Sequence, residues 1–472
     1  MGVDPAPRDR EDLLTRRAAL PWRLERGATL LADDASTRFS LWAPSARTAD
    51  VLIMSGPAAG RHSLERHADG LFECTIRGVS AGTDYTYLLD GAPERPDPMS
   101  RWQPYGVHGP SRVVDPTAFR WTDSGWRGLE MADYIIYELH VGTFTAAGTF
   151  DAAIEHLPAL AHLGVTAIEL MPVAQFPGER NWGYDGVLPY APQNSYGGPD
   201  GLRRLVDAAH GHGLAVVLDV VYNHLGPEGC HLREFGPYFS RDNYTPWGAA
   251  FDFDGPGHEE VRRYVIDNAL YWITEFHIDA LRLDAALWML DSGERHVLAE
   301  LAEQVHTQGA RLGRRVQVIA ESNYFVPWLM RSPERGGHGL DAAWRDDYHH
   351  AVRVALTGDR RGFPAGQAGI PDIAHALERG GAETDAHGDR YVIYVQNHDQ
   401  VGNRSVGKRL AAMLSFERRK LAAALLLLVP RVPLLFMGEE YGEMRSFMYF
   451  VSHGDPALVE AVRAGRRREL AE

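Results

Sequence analysis

Between residues 38 and 90, apolar and polar positions alternate in short runs, RFSLWAP, ADVLIM, LFECTIRGV and DYTYLLDG, punctuated by Gly and Pro. A period of two puts successive side chains on opposite faces of a strand, so this stretch predicts a small antiparallel β-sandwich. The Pro-rich run APERPDPMSRWQP ends the alternation and reads as a segment packed on a neighbour. Residues 1–110, a polar leader included, are therefore assigned to an N-terminal β-sandwich and 111–132 to a linker.

From residue 133 onward the texture changes to short apolar strands alternating with amphipathic helices. IIYELHV, AIELMPV, AVVLDVVYNH, HIDALRLDA and VQVIAES read as the first five strands, AAWRDD as a weak sixth, and YVIYVQNHD and VPLLFMGEE as the last two. Helical spacing falls at 150–163, 201–212, 259–276 and 294–312. Eight such units predict an α/β fold, a (β/α)8 TIM barrel over 133–472, with an inserted loop domain at 225–257 after strand 3. A doubly wound open sheet is the structural alternative that shares this alternation.

Composition narrows the partners. The chain has 472 residues, 45% of them hydrophobic and 24% charged, which are ordinary globular values. Its 63 acidic against 48 basic residues give a net charge of −15, which disfavours nucleic acid as the main partner. The start MGVDPAPRDREDLL has no apolar run behind a basic segment, and the longest apolar stretch, 421–429, is too short to span a bilayer. No membrane association and a cytoplasmic location are expected. Cys74 and Cys230 fall in different modules and no His/Cys cluster has ligand spacing, so neither a disulfide framework, a metal nor a cofactor is expected.

In a barrel of this kind the active site lies at the C-terminal ends of the strands. Strand three ends in Asp219, Asn223 and His224, strand four carries Arg282 and Asp284, strand five ends in Glu321, and strand seven ends in Asn397, His398 and Asp399. Arg282 and Asp284 are two apart, so both face the lumen, and an adjacent guanidinium favours an ionised carboxylate. Retaining glycoside hydrolysis needs one carboxylate to attack the anomeric carbon and another, about 5–5.5 Å away, to protonate the leaving oxygen. Glu321, behind the apolar run VQVIA, is placed to have its pKa raised by burial.

DVVYNH (219–224), LRLDA (281–285), AES (320–322) and QNHDQVGN (396–403) resemble, in order, the four signature segments of the α-amylase clan, glycoside hydrolase family 13. Within that clan the chain from about residue 38 resembles the malto-oligosyltrehalose trehalohydrolases. The resemblance rests on FSLWAPSA, GVHGPSRVVDP, YELHVGTFT, IELMPVAQFPGERNWGYDGVLPYAP, DDYHHAVRVALTGDRRGF and LLFMGEEYG. It implies Asp284 as nucleophile, Glu321 as acid/base and Asp399 as the carboxylate that holds two hydroxyls of the sugar at the cleaved position. It implies further that Arg282, His224 and His398 hydrogen-bond the nucleophile or that sugar, that Tyr184 stacks beneath the ring, and that Asp219 and Asn223 are structural near the site. The sandwich resembles the clan's carbohydrate-module-like domain.

The implied reaction is hydrolysis of the α-1,4 bond next to the terminal trehalose of maltooligosyl-trehalose, releasing trehalose, with functional pairing to a maltooligosyl-trehalose synthase. A glycogen branching or debranching enzyme, or another α-glucan hydrolase of the clan, is the alternative, and a non-catalytic glucan-binding protein is a third reading. Two positions depart from the family pattern: Leu287 where a histidine is usual, and Asn323 where an acid is common. Family members usually continue into a C-terminal β-domain, which is not expected in the 472 residues here. Trp182, Trp247, Trp288, Trp328 and Trp344 are candidates for stacking on glucose faces, with core packing as the alternative for each.

Overall fold

The computed structural model describes residues 22–31, 36–360, 370–378, 388–404 and 406–469; the leader at 1–21 and the end of the 346–363 segment lie outside them. The alternating region and its flanks fold into eight strands, β1 (Gly27–Leu30), β2 (Ser36–Trp42), β3 (Ala49–Ile53), β4 (Gly60–Ser63), β5 (Glu65–Arg66), β6 (Leu71–Arg77), β7 (Asp84–Leu89) and β8 (Ser111–Arg112), the last of which pairs with β7 although it falls in the stretch expected to be linker. They form two antiparallel four-stranded sheets, ordered β1-β2-β6-β5 and β4-β3-β7-β8. The alternate residues Phe39, Leu41, Val51, Ile53, Phe72, Tyr85 and Tyr87 are buried, each contributing about 1.5–3 kcal/mol of apolar transfer. Phe39 meets Tyr85 edge-on at 5.0 Å.

The sandwich is pinned to the rest of the chain. Trp42, at the end of β2, packs edge-on against Tyr238 at 5.2 Å. Gly236 comes so close that a Cβ there would lie 2.9 Å from the Trp42 ring. Arg101 donates to the Ala28 carbonyl at 2.6 Å and pairs with Glu275 at 3.3 Å, joining the first sheet to a barrel helix.

Eight parallel strands close into a barrel, which excludes the open-sheet alternative: β9 (Ile136–Leu139), β10 (Ala167–Leu170), β13 (Ala215–Val220), β16 (Ala280–Leu283), β17 (Gln317–Ala320), β18 (Ala342–Trp344), β19 (Tyr391–Tyr394) and β20 (Val432–Phe436). Two hairpins lie outside it: β11 (Ala174–Gln175) with β12 (Leu188–Pro192), and β14 (Phe239–Thr245) with β15 (Gly248–Phe251). The second hairpin and the short helix Leu232–Phe235 occupy the stretch read as an insertion after strand 3.

Two helices, α1 (Phe150–Ile154) and α2 (Leu157–Leu163), replace the single helix expected at 150–163. Pro158 explains the break: it has no N–H to offer the Ile154 carbonyl, and its ring crowds that oxygen. The other helices that matter below are α3 (Gly198–Gly211), α4 (His258–Glu275), α5 (Val297–Leu312), α6 (Asp346–Thr357) and α7 (His398–Gly402).

The lumen is layered. Ile136, Ala167, Val217, Ala280, Ile319, Ala342, Val392 and Leu434 form one apolar floor. Two residues further along each strand, on the same face, come Glu138, Glu169, Asp219, Arg282, Glu321, Trp344, Tyr394 and Phe436, all buried. The apolar floor excludes water from below, so the charges of the upper layer interact in a medium far less polar than solvent.

Candidate active site

Asp219 and Arg282 are register partners on the adjacent strands β13 and β16. Arg282 Nη1 donates to both Asp219 oxygens, at 2.9 and 2.8 Å, and to Asp284 Oδ1 at 2.9 Å. Its guanidinium lies 4.4 Å over the Trp344 ring. Asn223 Nδ2 donates to Asp284 Oδ2 at 2.9 Å and to the Asp284 carbonyl at 2.9 Å, so each carboxylate oxygen of Asp284 accepts one hydrogen bond. His224 Nδ1 meets Asn223 Oδ1 at 2.5 Å, and burial lowers the His224 pKa, which favours the neutral ring.

A chain of hydrogen bonds runs across the lumen toward the same arginine. His398, in α7, donates its main-chain N–H to Glu138 Oε2 at 3.0 Å, and its Nδ1 pairs with Glu138 Oε1. Burial would lower the His398 pKa, but the Glu138 and Asp399 charges outweigh it and push it up to about 9, so the ring is an imidazolium. Its Nε2 is then a donor to the Tyr184 hydroxyl at 2.7 Å, and that hydroxyl donates to Asp219 Oδ2 at 2.7 Å. Burial raises the Asp219 carboxyl to about 6 although Arg282 opposes it.

Glu321 sits just past the end of β17, and its Oε2 accepts from the Ala285 N–H at 2.6 Å and lies 4.0 Å from Arg282 Nη2. Ala285 adopts φ 41° and ψ 52°, a left-handed conformation that costs a non-glycine residue about 1–2 kcal/mol. The turn brings the residue that follows Asp284 under the Glu321 carboxyl. Burial pushes Glu321 up to about 8, Arg282 opposes it, and Asp284, Asp346 and Asp399 add to the rise. At neutral pH it is therefore mostly the neutral acid.

The Asn323 amide is satisfied with its nitrogen toward the carboxyls, donating to Glu321 Oε1 at 3.2 Å and Asp346 Oδ2 at 2.7 Å. An acid at 323 would instead face two oxygens, which gives the departure at that position a local electrostatic reason. Asp346, the first residue of α6, also accepts from Tyr394 Oη and from Gln400 Nε2 at 3.1 Å. Asp399 is more open, accepting from Asn403 at 2.8 Å, with its side chain 41% exposed.

The candidate aromatics divide. Trp182 and Trp344 are core residues rather than loop platforms: Trp182 stacks on Phe447 at 5.3 Å and donates to the Met448 carbonyl at 3.1 Å, and Trp344 lies in the lumen under Arg282. Trp247 is 52% exposed, Trp288 38% and Trp328 37%. Trp247, at the β14–β15 turn, stacks beside His224 at 5.6 Å and meets Trp288 edge-on at 6.3 Å, which puts this pair next to the carboxylates. Trp328 packs on His338 instead.

Glu138 and Glu169 were not singled out by the sequence reading. The signal was an acid at an inward position of an otherwise apolar strand, in IIYELHV and AIELMPV.

This geometry has counterparts in known proteins. The model of the alpha amylase catalytic domain matches residues 115–244, and that of carbohydrate-binding module 48, the isoamylase N-terminal domain, matches 25–106. The malto-oligosyltrehalose trehalohydrolase of Saccharolobus solfataricus is 46% identical over 453 residues, 93% of this chain and 79% of that one. The chain belongs to the malto-oligosyltrehalose trehalohydrolase family. The family member from Arthrobacter ramosus is 45% identical over 92% of this chain and 78% of its own. The crystal structure of a Salmonella typhimurium protein assigned to the alpha amylases has a TM-score of 0.86 at 42% identity, covering 95% of this chain and 79% of that one. Type I pullulanase from Bacillus subtilis shares the fold at a TM-score of 0.71 and 21% identity, over 95% and 72% of the two chains. As a family member the chain is a glycoside hydrolase built on the alpha amylase barrel.

Proposed function

We propose that this family member cleaves the α-1,4-glucosidic bond next to the terminal trehalose of a maltooligosyl-trehalose, with retention, and releases trehalose. Asp284 is the nucleophile, Glu321 the acid and then the base, and Asp399 the carboxylate that holds hydroxyls of the sugar at the cleaved position. The observation that carries the reading is the Ala285 N–H bond to Glu321, which couples a neutral acid to the residue next to a carboxylate held by Arg282 and Asn223.

The reaction follows from these charges. Glu321 gives its proton to the glycosidic oxygen as the bond to the anomeric carbon breaks, and Asp284 attacks that carbon to form a glycosyl ester. Glu321, now ionised, takes a proton from water, which attacks the same carbon and frees Asp284; two inversions restore the α configuration. Arg282, next to Asp284, favours the carboxylate that leaves. Tyr184, His224, Arg282 and His398 border the sugar, and Asp219 and Asn223 hold the frame.

The substrate assignment rests on the names of the relatives, which run from 38% to 46% identity. A cytoplasmic location and functional pairing with a maltooligosyl-trehalose synthase belong to the same reading. Incubation with maltotriosyl-trehalose tests it: trehalose and maltotriose are the expected products, and a change in branch content of a glucan without free trehalose would overturn it.

A further inference from the structure

Glu169 is fully buried in the lumen, yet among the described residues neither of its carboxyl oxygens has a hydrogen-bond partner. It stands on β10 directly beside Glu138 on β9, its register partner. The charged groups that face it are Glu138, Arg282, Asp219 and His398. Arg282 has the complementary lack: among the described residues its Nε and Nη2 make no hydrogen bond, Nη2 lying 4.0 Å from Glu321 Oε2, and its hydrogen bonds to Asp219 and Asp284 all run through Nη1. A buried carboxyl and the three N–H groups on two buried guanidinium nitrogens in one layer of one lumen are costly unless a small polar ligand joins them, and ordered water is the ligand of that chemistry.

We propose that Glu169 is a positioning residue of this active site, which with the free N–H groups of Arg282 binds ordered water in the lumen and so fixes the guanidinium that holds Asp284. The inference rests on Asp284 being the nucleophile, as read above. Charge supports the arrangement. Burial first, then Glu138, raises the Glu169 carboxyl well above its ordinary range, with Arg282 opposing. A neutral Glu169 leaves Glu138 matched to the His398 imidazolium and adds no further negative charge to Asp219 and Asp284, which already share the single Arg282. A neutral acid keeps a carbonyl oxygen to accept the O–H of a water that itself accepts from the guanidinium, and its own O–H can donate to a second lone pair or water.

Two variants separate this role from simple packing. Glu169→Gln keeps shape, donor and acceptor without charge, and should retain kcat within about two-fold with an unchanged pH profile. Glu169→Leu fills similar space without polar atoms, and should lower kcat by about ten-fold or more with KM little changed. A crystal structure at high resolution should show water between Glu169 and Arg282 Nη2 or Nε in the parent and in the Gln variant. A Leu variant with parental kcat, or a Gln variant that loses ten-fold, overturns the proposal; should the Leu variant not fold, the Gln kinetics and the water carry the test. Asp284→Asn is run in parallel: if that variant is active the nucleophile assignment fails, whereas inactivity there with a fully active Leu variant at 169 overturns only the role of Glu169.

Discussion

The main-chain N–H of Ala285 donates to Glu321 Oε2 at 2.6 Å. The Glu321 carboxyl is thus tied to the backbone next to Asp284, whose own carboxylate is held by the Arg282 and Asn223 side chains. Such placement holds reacting groups within the narrow geometry that covalent catalysis needs.

Asp284→Asn should lower kcat by at least about 1000-fold while leaving oligosaccharide affinity largely intact, because the amide keeps the shape and one of the two accepted hydrogen bonds but cannot form the ester. Calorimetric titration and product assay measure the two. In the parent enzyme, proton NMR of the first product should show the α anomer; initial β anomer would refute the nucleophile assignment.

Glu321 must be protonated for the first step. Burial holds its carboxyl up at about 8, so kcat/KM on natural substrates should be sustained through neutral pH and fall as pH rises through about 8. Glu321→Gln should be inactive on these substrates but retain first-step activity on glycosides whose leaving group needs no proton. An alkaline limb centred near the usual carboxyl range would contradict the assignment.

His210, in α3, bridges two buried carboxylates, Asp123 at 2.8 Å and Asp279 at 2.8 Å, and Trp126 stacks on it at 4.7 Å. Burial lowers its pKa, but the bonds to Asp123 and Asp279 outweigh this and leave it raised. Its stabilisation is therefore fully present below the unfolded-state value of about 6.5 and is lost as pH rises through the folded value. The Asp123 carboxyl, raised by burial but lowered further by His210 and His277, contributes stability above the ordinary carboxyl range that is lost only in strong acid. His210→Gln should cost about 3 kcal/mol or more at pH 5–6 and less at pH 9, read from thermal melts. A gap that widens toward alkaline pH would sink this account.

Leu287 packs against the core where the family usually has a histidine, and Trp288 beside it faces Trp247. Leu287→His should raise selectivity for trehalose over maltose as leaving group by about two- to ten-fold, the worth of one hydrogen bond. Trp288→Ala should raise KM by a similar factor, about two- to ten-fold, with a smaller change in kcat. Rates on maltooligosyl-trehalose and on maltooligosaccharide of equal length decide both.

Much of this was legible in the strand patterns, because buried parallel strands are short apolar runs and their polar ends stand out. Asp219, Arg282, Asp284, Glu321 and Asp399 all converge as the strand ends implied. The weak sixth strand is weak in the structure as well, only Ala342–Trp344. What escaped was tertiary. The burial of Trp182 and Trp344 depends on partners distant in the chain, Phe447 and Arg282, and no local pattern announces them. Glu138 and Glu169 looked like single polar interruptions in apolar strands, and only closure of the barrel brings them into one layer with Arg282.

The clasp around Trp42 has a mechanical consequence. With its ring wedged against Gly236 and Tyr238, and with Arg101 bolting the first sheet to α4, the sandwich is held to the rest of the chain at two separate points. The segment that clasps Trp42 runs directly into β14 and the turn that carries Trp247 beside His224, so the sandwich buttresses the loop standing next to the carboxylates.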